Sequence, residues 1–152
     1  QFKLSGVSEY EILDLQMAIE SSAIELAATN RTDQDLEKMS YLLKKSEMAL
    51  DSPTEFTEIG HKFHLAMVEA SGNRALIAQF GSLRHVIWPD GAKRAKREIA
   101  EHAHKVYQKL FTLIKERDAE SARKLMVAHL TSIRAVAFPE DRKTLGSSVV
   151  CC

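Results

Sequence analysis

The chain has 152 residues, 45% of them hydrophobic, and its 21 Lys and Arg are matched by 21 Asp and Glu. That length and apolar content fit one domain with a real core and exclude disordered and fibrous classes, while zero formal charge leaves no basic excess to hold a phosphate backbone and argues against DNA binding by this segment alone. No apolar run approaches the ~20 residues of a membrane span, no signal peptide opens the chain, and the only cysteines, Cys151 and Cys152, are adjacent at the end and staple nothing, so a soluble, cytoplasmic protein is expected.

Ser8 followed by Glu11 is a capping-box signature, and Ile12, Leu15, Ile19, Ala23, Leu26 and Ala27 recur at helical spacing as far as Asn30. Thr32 is the next expected N-cap, with Leu36, Met39, Leu42, Leu43 and Met48 marking a second amphipathic helix that ends near Asp51. Ser52, Pro53 and Glu55 combine an N-cap, a first-turn proline and a capping-box acid, which starts a third helix running to about Ser71. Gly72 reads as a left-handed C-cap and Asn73 opens a fourth helix with the stripe Leu76, Ile77, Phe80, Leu83 and Ile87, stopped by Pro89, Asp90 and Gly91. A long polar helix follows and gains a stripe at Val106, Leu110, Leu113 and Ile114. Asp118 then caps a last helix carrying Leu125, Met126, Leu130, Ile133 and Val136, and Pro139 ends it. The tail, residues 139–152, lacks periodicity and is expected to be flexible. With no strand alternation anywhere, the expected fold is all-α, an antiparallel bundle of six to seven helices.

Five of these helices send a polar group toward the interior. At about 100° per residue, His64 lies within roughly 60° of the apolar direction set by Phe56, Ile59, Phe63 and Met67, and His129 lies near the middle of the last stripe. Tyr107 falls between Val106 and Leu110, Gln16 and Glu20 flank the first stripe, and Arg84 flanks the fourth. A single inward histidine is more often a core residue bonded to a neighbour, and Arg84 and Glu20 can pair with each other. The coincidence of all of them points instead to a polar pocket for a ligand or a metal, because each burial costs about 1–3 kcal/mol unless it is satisfied.

The run from Phe63 and His64 to Ala70, Ser71, Gly72 and Asn73 resembles the Phe-His and Ala-Ser-Gly-Asn signature of the FCD domain, the effector-binding half of FadR-subfamily GntR transcription regulators. Ile19-Glu20 with Glu25 to Ala28, and Asp118 to Glu120 leading to Ala128-His129-Leu130, resemble the first and last helices of that family, so the likeness runs from about Glu9 to Val136. It implies that residues 1–138 form an effector-binding and dimerisation domain. A chain that opens on Gln1 is expected to follow an upstream winged helix-turn-helix, through which alone a homodimer would contact DNA. The implied effector is a small organic acid. The family often adds a divalent metal, zinc or nickel, on one aspartate and three histidines. Here the resemblance carries over only His64 and His129 as metal ligands: Gly60 stands at the aspartate and Tyr107 at the middle histidine, while Gln16 stands where an arginine often does. The implied ligand-binding residues are Arg84, Tyr107, His64, His129 and Gln16. His61 and His104 lie near the missing positions, but periodicity turns each about 100° away from its helix stripe.

Two other readings compete with this non-enzymatic sensor. Glu58 to His61 and Glu101 to His104 each spell Glu-x-x-His, as in di-iron carboxylate bundle enzymes, yet Glu58 lies nearly opposite the apolar direction of its helix and His104 well off that of its own, so both are expected at solvent or a partner. The other reading is a purely structural dimerisation domain whose inward polar groups satisfy one another.

Overall fold

A computed structural model describes residues 6–87 and 96–137, with the side chains of residues 84–87 and 136–137 outside that set. Ile87, the Pro89 to Gly91 stop, Val136, Pro139 and the tail expected at 139–152 therefore lie outside what is described below. Six helices make up the bundle: α1 (Glu9–Asn30), α2 (Asp33–Met48), α3 (Pro53–Ala70), α4 (Arg74–Ile87), α5 (Arg97–Lys115) and α6 (Ala119–Ala137). No strand occurs among the described residues. None of the helices is long and apolar enough to cross a membrane, again among the described residues.

Local chemistry sets most of the boundaries. Reciprocal capping boxes start α1, between Ser8 and Glu11, and α2, between Thr32 and Asp35, so two orphan amides are satisfied at each helix start. Asn73 Oδ1 accepts from the amides of Ala75 and Leu76 to start α4, and Asp118 Oδ1 accepts from the amide of Ser121 to start α6. The expected cap at Ser52 does not form. Pro53 occupies the first turn, but Ser52 at ψ 85° is away from the extended geometry that aims a hydroxyl at the N2 and N3 amides. Helix α2 also ends three residues earlier than the periodicity indicates, at Met48.

Gly72, at φ +66°, supplies the left-handed turn that ends α3. Arg117 adopts the same conformation at φ 62° after α5, completing a Schellman turn in which its own amide donates to Ile114 O and that of Asp118 to Leu113 O. The Arg117 guanidinium reaches across to Thr29 O at 2.5 Å and Ala28 O at 3.4 Å. Asn30 Nδ2 donates to Ser71 O at 2.9 Å. The C-terminal end of α1 is thus clamped to the α5–α6 and α3–α4 turns. Its other end meets α6, where Arg134 bonds Asp14 Oδ1 at 2.7 Å and lies over the Tyr10 ring.

The core is built from α1, α2, α3, α5 and α6, with Ile24, Met39, Phe56, Phe63, Met67, Leu110, Ile114 and Met126 among its buried side chains. A second cluster joins Ile19, Ala23 and Val68 to Phe80 and Leu83 of α4. Helix α1 packs against α3, α4, α5 and α6, so the face it buries is broader than one stripe. That is why Gln16, Glu20 and Ser21 are buried while Leu15 and Leu26, both on the expected apolar stripe, are exposed. Met48, expected on the α2 stripe, is 81% exposed at the helix end.

Candidate functional site

The polar groups gathered at the centre come from four helices. On α1, Gln16 and Glu20 are one turn apart and share a face; both are almost wholly buried, and Gln16 Nε2 donates to Glu20 Oε2 at 2.6 Å. The other carboxylate oxygen, Oε1, accepts a hydrogen bond from His64 Nδ1–H on α3. This bond spans two helices and holds the His64 ring in one orientation. The α1 end of the network is thereby satisfied, as a buried carboxylate requires.

His64 then meets Tyr107 of α5 edge to face, at 5.6 Å between ring centroids, and stacks on His129 of α6 at 5.5 Å and 27°. Tyr107 also meets His129 edge to face at 5.6 Å. Its other ring neighbours are Phe63 at 4.9 Å and Phe56 at 6.3 Å. These contacts hold the phenol, and its hydroxyl faces Gly60 closely: a Cβ on residue 60 would lie 2.9 Å from Tyr107 Oη.

His129 is the unsettled member of the group. Its Nε2 is buried and has no hydrogen-bond partner among the described residues. Burial first, then the neighbouring His64 and His102 imidazoles, push its pKa down to about 3, so it is a neutral ring at physiological pH. Burial and the nearby Glu20 carboxylate raise the Tyr107 pKa, keeping the hydroxyl protonated and able to donate. The site therefore offers a neutral imidazole and a phenol beside a carboxylate already engaged by His64.

Of the residues expected here, Gln16, His64, Tyr107 and His129 do converge. Arg84 is on α4, but its side chain lies outside the described residues. Glu20 is the partner of His64 rather than only a flanking residue. The signal for it was its spacing from Gln16, which puts two polar side chains on one inward row of α1. Two open recesses lie elsewhere on the surface of the described residues, one lined by Asn30, Ser71 and Arg74, the other by Glu37, Tyr41 and Lys115.

The metal set that the family resemblance implies is incomplete among these side chains. Among the described residues no group of three or more His, Cys, Asp or Glu is placed to hold an ion. Gly60 brings no ligand atom, and Tyr107, whose hydroxyl burial keeps protonated, brings a phenol in place of an imidazole. The residues present do not make up a zinc or nickel site of the usual three or four protein ligands.

His104 corrects an expectation. It is buried rather than facing solvent or a partner, because α5 packs against α2 as well as the centre and so buries a second row of its surface. Ser46 Oγ donates to Leu43 O at 2.9 Å and accepts from His104 Nδ1–H at 2.7 Å, which leaves His104 Nε2 buried without a partner among the described residues. Glu101 pairs with Arg97, and Glu58 is exposed, so the two Glu-x-x-His segments share no centre.

Comparison with known proteins agrees with this architecture. Residues 11–132 match the model of the FCD domain family. The chain is similar to the HTH-type transcriptional repressor NanR of Klebsiella aerogenes, at 27% identity over 86% of this chain and 50% of that protein. It is likewise similar to NanR of Salmonella newport, at 26% identity over 91% of this chain and 54% of that protein. Among solved structures, E. coli McbR/YncC superposes with a TM-score of 0.72 at 23% identity, covering 86% of this chain and 64% of that one. The chain thus spans about half the length of the curated relatives it matches. The NanR relatives are named as repressors of transcription, not as enzymes.

Proposed function

The chain belongs to the FCD domain family, and from that premise we propose that it is the ligand-sensing and dimerisation half of a GntR-type transcriptional regulator that binds a small organic acid. In this reading a separate N-terminal winged helix-turn-helix contacts DNA, two copies of the chain form the dimer, and the protein works in the cytoplasm. The observation that carries the reading is the buried, unpartnered Nε2 of His129 beside Tyr107 and the Glu20–His64 pair. What sets His129 Nε2 apart from the equally unpartnered His104 Nε2 is its place among Tyr107, His64 and Glu20, where a ligand group bonding to it would recover about 1–3 kcal/mol.

His129 and Tyr107 contact the effector, and His64, oriented by Glu20, lines the site beside them. Gln16 holds Glu20 in place, and Arg84 takes the anionic end of the effector. Binding alters DNA affinity only if the effector prefers one arrangement of the dimer, with a coupling of typically ~1–3 kcal/mol. The test is a thermal-shift screen of small mono- and dicarboxylates, followed by calorimetry on any that raise the melting temperature. Replacing His129 by Ala should weaken such a ligand at least tenfold. Unchanged affinity would remove His129 from the site, and a panel without any stabilising acid would favour a purely structural dimerisation domain.

A further inference from the structure

We infer that this domain recognises its effector directly, without a divalent metal, and that Gly60 and Tyr107 together bring about that change. The inference rests on the sensor reading above for the existence of an effector, but not for the state of the metal.

Residue 60 is one helical turn before His64 and shares its face of α3, so a carboxylate there would stand beside the His64 ring. The volume it would need is occupied. Tyr107 Oη would be 2.9 Å from a Cβ on residue 60, and the phenol cannot easily withdraw, being held by Phe56, Phe63 and the rings of both histidines. The glycine and the tyrosine are therefore one feature: the missing side chain on α3 makes room for the phenol from α5. The exchange removes two ligand atoms from the centre together.

What remains favours hydrogen bonding over coordination. Glu20 and the Nδ1–H of His64 satisfy each other, and beside them His129 Nε2 is buried without a partner among the described residues. Two imidazoles and a protonated phenol fall short of the three or four protein ligands that zinc or nickel takes. They suit a hydroxyl or carboxyl group that accepts from Tyr107 O–H and shares a proton with His129 Nε2.

The test needs no effector. The 152-residue chain, purified without a histidine tag, is analysed for bound metal and titrated with zinc chloride and then nickel chloride by calorimetry. The expected result is less than 0.1 metal per chain and no one-site isotherm that His129→Ala abolishes; binding that persists in His129→Ala is at surface histidines and agrees with the inference. Tyr107→His, which adds a third imidazole and removes the phenol, should acquire one-to-one metal binding, and the Gly60→Asp/Tyr107→His variant should bind at least tenfold tighter again. Circular dichroism identifies variants that fold. One equivalent of metal on the unaltered chain, lost in His129→Ala, overturns the inference and leaves the sensor reading standing. Failure of both folded variants to gain metal overturns the role given to Gly60 and Tyr107.

Discussion

Glu20 on α1 and His64 on α3, 44 residues apart in sequence, are joined by a hydrogen bond inside the bundle, with both side chains almost wholly shielded from water. Glu20 also accepts from Gln16 Nε2, so its carboxylate serves two buried donors at once. Replacing Glu20 by Ala should therefore cost about 3 kcal/mol, the upper end of the penalty for unsatisfied buried donors, because His64 Nδ1–H and Gln16 Nε2 both lose their acceptor. Glu20→Gln retains a carbonyl that accepts from His64 Nδ1–H and should cost nearer 1–2 kcal/mol. Urea unfolding followed by circular dichroism separates the two, and equal losses would show that the bond itself contributes little.

The depressed pKa of His129 makes stability depend on pH. In the unfolded chain the ring takes a proton near its ordinary value of 6.5, and in the folded chain only near about 3. Between those values the unfolded state binds more protons, so the contribution is complete above pH 6.5 and erodes as pH falls toward 3. The loss is at most about 1.4 kcal/mol per pH unit, and His104, whose pKa burial also lowers, adds in the same direction. Melting temperatures measured from pH 7.5 to 4.5 should fall, and His129→Phe should flatten the slope. An unchanged slope in that variant would assign the effect to other groups.

Gly60 and Tyr107 should behave as a coupled pair. In an otherwise unobstructed helix, glycine to alanine gains roughly 0.5–1 kcal/mol, but here the new Cβ meets Tyr107 Oη at 2.9 Å, and overpacking of this kind costs typically 1–3 kcal/mol. Gly60→Ala is expected to destabilise, whereas Gly60→Ala in a Tyr107→Phe background should be neutral or stabilising. A double-mutant cycle should give a coupling of about 1 kcal/mol or more, and additive effects would mean that the phenol yields freely.

Helix positions were largely legible from sequence because caps and periodicity are local: Ser8 with Glu11, Thr32 with Asp35, and Gly72 each mark a boundary that the fold keeps. Ser52 misled because a cap also depends on backbone angles fixed by the preceding turn. The inward polar residues were legible where they lie on or beside the apolar stripe of their own helix, as with His64, Tyr107 and His129. Periodicity failed where a helix is covered on two sides. Helix α5 buries both the Tyr107 row and the row holding His104, and α1, whose Gln16 and Glu20 are inward as expected, exposes Leu15 and Leu26 of its expected stripe. Which helix covers which row is a tertiary fact, and no count along the chain contains it.

Ser46 and His104 offer a check on that second row. Ser46→Ala removes the acceptor for His104 Nδ1–H and leaves both ring nitrogens unpaired in a buried place, at a cost of about 1–3 kcal/mol. In a His104→Leu background the same serine change should cost less than 1 kcal/mol. The comparison uses chemical denaturation of the four proteins in the cycle, and equal penalties in both backgrounds would mean that the two side chains act independently.

The clamp that Arg117 and Asn30 place on the end of α1 gives that helix the geometry of a lever. At 1.5 Å per residue, Glu20 lies about 15 Å from the fixed end and Glu9 about 31 Å, so a tilt that moves Glu20 by a given amount moves Glu9 about twice as far. Arg134, bonded to Asp14 and resting on Tyr10, ties the far end of α6 to the moving arm. Any tilt of α1 about its clamped end would therefore displace the Tyr10–Asp14 turn, and the Arg134 contact from α6 with it, further than it displaces Glu20.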